Sequence, residues 1–411
     1  MEKPIDDDMP NAIQGANSDK LSNSEMHTIP LEAVVNTHRT GADGNYVPSR
    51  IISTVAPVVV RQNDPAGAKY QEGLGYSFLL NAPKYPGLTK MDDGTLVLTL
   101  TAALSGGPAY GTDEGRTDLI LFSQDDGMSW SQPRRIPGYR TTPMNLGGKR
   151  LLLRGWNSYI DTEESFCFWF SEDGGMTWSD AEPVARLPDG RGVNTDVSPS
   201  MLIEGDTIRF MFYVADAGTM MWPYNHEKHR WGEPYFFPED WMAFARCSEA
   251  SLTRAKDRAL VASFRSSRPE IPSPSDHWRG ILTARSTDDG RTWTKPDLHS
   301  LYGHVHHSLV PFPDGRILMT YAARIGELDG RTYHGHEAVF SHDHGRTWDW
   351  SRRYILFRGT NGVMHSPQSV ILSNGRIMTV VMHPISFSWQ DDETEGNMVG
   401  ISQVSAVIWM P

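Results

Sequence analysis

One eight-residue phrase occurs four times in this 411-residue chain, and it constrains the fold before any single residue is considered. The copies are Ser123-Gln-Asp-Asp-Gly-Met-Ser-Trp130, Ser171-Glu-Asp-Gly-Gly-Met-Thr-Trp178, Ser286-Thr-Asp-Asp-Gly-Arg-Thr-Trp293 and Ser341-His-Asp-His-Gly-Arg-Thr-Trp348. Each reads Ser-x-Asp-x-Gly-x-Ser/Thr-Trp. The phrase is a turn device: the Asp accepts backbone N–H groups, the Gly supplies a positive φ, and the Trp opens the next strand and packs between sheets. Asp125, Asp173, Asp288 and Asp343 are therefore not catalytic candidates.

The Trp residues are 48, 115 and 55 positions apart, so the middle gap holds two units with one copy of the phrase lost. A second rhythm agrees. Turns between apolar strands fall at Asp93-Gly94, Gly147-Gly148, Gly205-Asp206, Asp257-Arg258, Asp314-Gly315 and Asn374-Gly375, spaced 52 to 60 residues apart. Six units of two hairpins each predict an all-β, six-bladed β-propeller. Units three and six lack the phrase, so their outer hairpins are expected to differ. The last strand, 402–410, is expected to pair with 51–61 and close the ring. Residues 1–45 are polar and weakly patterned and read as a partly flexible arm. Residues 46–411 read as one propeller domain, with an insertion at 216–244 in blade 3.

Composition narrows the partners. The net charge of −12 argues against nucleic acid and anionic membrane surfaces. Mean hydropathy is negative and no apolar run approaches a membrane span. The acidic start, Met1-Glu-Lys-Pro-Ile-Asp-Asp-Asp, carries no signal-peptide pattern, so a cytoplasmic location is expected, with secretion after removal of a signal left open. Cys167 and Cys247 fall in different blades and read as free thiols.

In a propeller, the first-hairpin turns and the repeated phrase share one face. Functional side chains are therefore expected at the opposite ends of the strands, around the central channel. Those positions hold Lys84, Arg154, Trp156, Asp196, Glu249, Arg265, His304, His306, His307, Tyr321, Arg324, His334, His336, His365 and His383. Glu249 and Arg265 form either a functional pair or a staple within the blade. Asp196 is a candidate general acid or an Asx-turn residue. His307 and His365 are candidate general bases. Arg154 and Trp156 offer a charge and a stacking platform, while Arg324, Tyr321, His336 and Lys84 are candidate substrate contacts. No tight metal-ligand spacing appears, so no metal or cofactor is expected. The aromatics Trp222, Tyr224, Trp231, Tyr235, Phe236, Phe237 and Trp241 suit a glycan lid or a contact between copies in a homo-oligomer.

The fourfold phrase resembles the Asp box (bacterial neuraminidase repeat) of sialidase-like β-propellers, over about residues 85–411. The resemblance implies a glycoside hydrolase acting on an oligo- or polysaccharide, with carboxylate acid/base chemistry in the channel. The stretch from Ser248 to Arg265 is similar to the sialidase segment in which a Glu polarises a nucleophilic Tyr and an Arg grips the substrate carboxylate. Two departures stand against ordinary sialidase activity. Pro83-Lys84-Tyr85-Pro86 carries Lys where the family's Phe-Arg-Ile-Pro has Arg, and His365-Ser366-Pro367 stands where the Tyr belongs. Arg324 and Arg331 fall near the place of the third Arg. The alternatives are a lyase or His-dependent glycosidase on uronate-bearing glycans, or a non-catalytic glycan-binding propeller.

Overall fold

A computed structural model describes residues 58–60, 69–71, 74–78, 80, 83–103, 116–157, 166–193, 201–214, 218–238, 248–265, 280–298, 303–328, 331–359, 365–388 and 399–411. Every regular element among them is a strand, and the strands form six antiparallel sheets. Blade 1 runs Lys84–Lys90, Leu96–Ala103, Arg116–Ser123 and Arg134–Arg135. Blade 2 runs Tyr139–Gly147, Arg150–Trp156, Phe166–Ser171 and Glu182–Pro183. Blade 4 uses Ser248–Arg254, Leu260–Arg265, Ile281–Ser286 and Asp297–Leu298. Blade 5 uses His304–Pro311, Ile317–Leu328, Arg331–Ser341 and Tyr354–Gly359. First strands of neighbouring blades touch one another around most of the ring, which makes them the innermost layer. The arrangement is a six-bladed β-propeller.

The core lies between blades rather than within them. Leu98, Leu119 and Trp130 of blade 1 pack on Met378, Val380 and Ala406 of blade 6. Val261 and Ile281 of blade 4 pack on Met319, Val339 and Trp348 of blade 5. Strand faces that alternate on both sides of each sheet produce this layering, because each sheet must bury both faces.

All four repeated phrases adopt one turn. In the first, Asp125 Oδ1 accepts Ser129 N at 2.9 Å, Oδ2 accepts Ser129 Oγ at 2.6 Å, and Gly127 N donates to Ser123 Oγ at 2.9 Å. Gly127 has φ +83°, and a Cβ there would collide with Met378. The phrase joins the third and fourth strands of its blade. It shares a face with the first-hairpin turns, since Ser373 N donates to Asp126 Oδ1 and Arg346 reaches Asp257 at 2.8 Å.

Two expectations need correction. The ring closes through Leu74–Phe78, which pairs with the last strand Val399–Trp409 as the outer strand of blade 6. Val58–Val60 instead adds to the outer edge of blade 5, on Tyr354–Gly359. Blade 6 lacks the phrase because its fourth strand arrives from the N-terminal side, so there is no third-to-fourth turn to build. The segment expected as an insertion in blade 3 is that blade's own outer hairpin. Gly218–Asn225 is its third strand, with Arg230–Trp231 and Tyr235–Phe236 both paired to it. Trp222 and Tyr224 are buried there among Phe168, Phe210 and Phe212, so these two serve the core of blades 2 and 3, while Phe236 stays exposed. Trp241 lies outside the described residues.

Candidate functional site

Nine non-glycine residues among those described have positive φ. Five of them (Asp126, His229, Arg258, Asp289 and His344) sit in turns. The other four, Tyr85 (φ 50°), Arg140 (φ 51°), Glu249 (φ 47°) and His306 (φ 52°), lie inside first strands. Each falls in a register shift of its first hairpin: Lys84/Gly87, Tyr139/Thr142, Ser248/Ser251 and Val305/Ser308. Thus the same bulge recurs in blades 1, 2, 4 and 5, at the strand ends opposite the repeated turns, and the first hairpin of blade 6 shifts register in the same way at His365/Gln368. A left-handed non-glycine residue costs about 1 kcal/mol or more. Bulges re-aim side chains, and this one does so at equivalent places on the innermost strands.

The bulge residues of blades 4 and 5 meet. Arg265 Nη1, at the end of the second strand of blade 4, donates to Glu249 Oε1 at 2.6 Å. Glu249 Oε2 faces His306 Nδ1 at 3.3 Å. On the far side of the ring, Arg324 Nη2 lies 3.1 Å from His306 Nε2. A guanidinium only donates, so Nε2 accepts and the imidazole proton is directed to Nδ1, toward the carboxylate. Arg324 is itself anchored, its N–H on Gly303 O at 2.6 Å and its carbonyl accepting from His334 Nδ1 at 2.5 Å. The Glu249 side chain is 2% exposed and that of Arg265 15%, so a ligand meets the guanidinium first. The result is an Arg–Glu–His–Arg chain across two blades.

The sequence matches the BNR repeat-like domain family over residues 81–327, more than half of the chain. The chain belongs to that family. No curated protein matches this BNR-repeat chain in sequence. Among solved structures, it is similar to a protein of unknown function from Dyadobacter fermentans, at 14% identity and TM-score 0.57, covering 87% of this chain and 99% of that one. It is similar to an α-L-arabinanase from Penicillium chrysogenum, at 15% identity and TM-score 0.53, covering 86% and 98%. It is also similar to the NanB sialidase from Streptococcus pneumoniae, at 11% identity and TM-score 0.53, covering 80% and 68%. At these identities the likeness is one of fold.

The bulge residues of blades 1 and 2 meet as well. The Arg140 guanidinium carbon stands 4.4 Å from the Tyr85 ring centroid, with Tyr139 at 5.3 Å and Trp156 at 5.8 Å. Beneath them Asp118, fully buried, accepts Thr141 N and Thr141 Oγ1 at 2.6 Å each and Thr101 Oγ1 at 2.5 Å. Burial raises the Asp118 carboxyl above its usual range despite these bonds.

The structure thus brings Glu249, Arg265 and Arg324 of the expected set together, and puts Trp156 beside Arg140. Lys84 opens the bulged first strand of blade 1. His365 opens that of blade 6, paired with Met382. Asp196 lies outside the described residues. The remaining candidates are enclosed. His307 is fully buried with Nδ1 2.7 Å from Ser263 Oγ, and burial pushes its pKa down to about 3, so it is neutral between two blades. Tyr321 donates to Glu337 Oε2 at 2.6 Å, inside the packing of blades 4 and 5. Arg154 is 2% exposed and His336 is wholly buried, its ring 6.2 Å from that of Phe357.

Sequence reasoning passed over Arg140 and Tyr85, and it named His306 only as one of a group of histidines. The available signal was their offset. Each stands two residues before a small or hydroxyl residue (Gly87, Thr142 or Ser308), as Glu249 stands before Ser251. Among the described residues no group of three or more His, Cys, Asp or Glu side chains is placed to hold a metal, and no helix is long and apolar enough to cross a membrane.

Proposed function

We propose that this protein is a glycoside hydrolase acting on an oligo- or polysaccharide, with Glu249 as the carboxylate on which catalysis depends. The observation that carries the reading is the placement of Glu249: buried, held at φ 47° in a bulge of an innermost strand, and joined to Arg265 at 2.6 Å. A backbone held out of its ordinary region is retained where the side chain's aim matters. Arg265 favours the ionised form of the carboxylate. An ionised carboxylate with fixed partners suits stabilisation of the positive charge that builds on a sugar ring as its glycosidic bond breaks. Arg265 and Arg324 supply donors for the substrate's oxygens, and Asp196 is the proposed acid for the leaving oxygen. His306 stands against Glu249 and orients it.

The propeller likeness to an arabinanase and a sialidase supports the class of chemistry, and the Lys84 and His365 departures turn the reading away from ordinary sialidase activity. A panel of defined oligosaccharides read by mass spectrometry tests it. Glu249→Gln keeps the shape and removes the charge, and turnover is expected to fall about a thousandfold. Undiminished turnover by this variant would overturn the assignment. A product with an unsaturated, ultraviolet-absorbing ring would replace hydrolysis by elimination.

A further inference from the structure

We propose that the face carrying the repeated turns is a self-association surface, on which a second copy of this chain packs across a two-fold axis. Among the described residues four large hydrophobic side chains are exposed, and three of them, Met128, Met176 and Met410, lie on that face, on the consecutive blades 6, 1 and 2. Met128 and Met176 stand at the same position of the repeated turn in blades 1 and 2. Met410 follows Trp409, which pairs with Ile377 beside the first-hairpin turn of blade 6. Exposed apolar side chains gathered on one face mark an interaction surface, and methionine adapts its shape to what it meets.

The opposite half of the same face supplies the complement. Where blades 1 and 2 have Met128 and Met176, blades 4 and 5 have Arg291 and Arg346, both exposed. Arg291 Nη1 donates to Asp288 O at 3.2 Å and Arg346 Nη1 to Asp343 O at 2.9 Å, so each guanidinium is held over its own turn. The two halves also differ in charge. On the turns of blades 1 and 2, Asp92, Asp93, Asp125, Glu172 and Asp173 are exposed together with Lys149. On those of blades 4 and 5, Lys256, Arg258, Arg291 and Arg346 outnumber the exposed carboxylates. Arg134 shows the contact within one chain, since its guanidinium reaches the Met176 sulfur and carbonyl. An arginine stem covers apolar surface while its head stays in water, so Met against Arg buries area without stranding a charge.

The ring of six sheets fixes the symmetry. A two-fold axis lying in this face along blades 3 and 6 exchanges blade 1 with blade 5 and blade 2 with blade 4. It sets the Met128 turn of one copy against the Arg346 turn of the other, and the Met176 turn against the Arg291 turn. Met410, on blade 6, meets its own counterpart at the axis. Every off-axis contact then occurs twice, as a self-complementary interface requires. The acidic turns of each copy face the basic turns of the other, which favours encounter and fixes the register. Glu249 lies at the strand ends opposite the repeated turns, so the pair presents its two candidate sites outward on opposite sides.

This inference does not depend on the proposed hydrolysis. Sedimentation velocity of the full chain, from about 1 to about 100 µM, brackets micromolar association. The expected result is a dimer at the upper end that weakens as salt is raised. Met128→Lys/Met176→Lys sets like charges against the arginine turns, and Arg291→Glu/Arg346→Glu sets them against the acidic turns. Each variant should lose self-association by about tenfold or more. Mixed in equal amounts, the two should form a dimer again, because the Lys turns of one meet the Glu turns of the other while the unchanged halves still match. Circular dichroism and melting verify that each variant is folded. Should Arg346→Glu disturb the contact with Asp257, the methionine variant decides the matter by itself. A wild type that stays monomeric throughout overturns the proposal. So does a dimer that persists undiminished in folded Met128→Lys/Met176→Lys, or a failure of the two folded variants to pair when mixed.

Discussion

Glu249 Oε2 stands 3.3 Å from His306 Nδ1 although the two residues lie 57 positions apart and in different blades. Both occupy the left-handed position of the same bulge, and both are almost fully buried. The pairing arises because two copies of one backbone device face each other across a blade boundary.

The Glu249–Arg265 pair should be felt in stability as well as turnover. Removing one partner of a buried ion pair leaves the other charge without compensation, a loss of about 3 kcal/mol or more when both are enclosed. Arg265 retains some exposure, so Glu249→Gln is expected to lose less than that, about 1–2 kcal/mol. Urea unfolding checks it. The double variant Glu249→Gln/Arg265→Met should recover part of the loss, and a strictly additive double variant would contradict a direct pair.

The repeated turn should matter for stability and not for chemistry. Asp125→Ala removes bonds to Ser129 N, Ser129 Oγ and Ser123 Oγ and is expected to destabilise by about 1 kcal/mol. Turnover by the folded protein should be unchanged, because the turn lies on the face away from Glu249. Chemical denaturation paired with a rate measurement decides it.

The same four carboxylates set an acid limit. In Asp173 and Asp288 the Thr hydroxyl and backbone bonds pull the pKa down. In Asp125 and Asp343 burial pushes up, but the turn's hydrogen bonds outweigh it. Folded values below the unfolded one, about 3.9, give stability that is complete above that pH and lost as pH falls through the folded values. Melting temperature should therefore drop steeply below about pH 4, and Asp125→Asn should shallow that slope.

His307 acts at milder acidity. Its folded pKa of about 3, set mainly by burial, is below the unfolded value, so the unfolded chain takes up the proton first. Stability from the neutral ring is complete above about pH 6.5 and declines as pH falls from there toward the folded value. Comparing melting temperatures of wild type and His307→Gln from pH 7.5 to 4.5 checks it. The wild type should lose the more over that span, and parallel curves would refute the burial of a neutral imidazole.

Glu337 is a further buried carboxylate. Burial alone would raise Glu337, but Arg353, His304 and the hydroxyls of Tyr321 and Tyr333 outweigh it and hold the group ionised. Tyr321→Phe removes one donor to that charge and should cost about 1.5–3 kcal/mol, measured by denaturant unfolding. A change under 0.5 kcal/mol would mean that the remaining partners compensate.

How much of this was legible in the chain differs by level. The four turn phrases and six spaced hairpins carried the blade count, because Asp and Gly at fixed offsets are local devices that work without the rest of the molecule. Glu249 and Arg265 were also readable, being the ends of one hairpin whose register follows from its turn. Strand order at the ring's seam was not. Leu74–Phe78 and Val58–Val60 are both short apolar runs, and nothing local says which joins blade 6 and which joins blade 5. Aromatics in 218–236 read as a loop because the turn between them lacked the repeated phrase, although the strands still paired.

The sequence by itself determined the repeat, the turns, the blade number and the ends of the strands where polar side chains gather. These follow from interactions within a few residues or within one hairpin. Only the tertiary structure decided that His306 rather than His307 meets Glu249, since a left-handed bulge turns one of two adjacent histidines to its neighbour and seals the other between sheets. The same cause put Arg140 on Tyr85. Strand alternation is legible in sequence, but a one-residue bulge reverses it, and the bulge is held by contacts such as those of Asp118 that come from another strand and another blade.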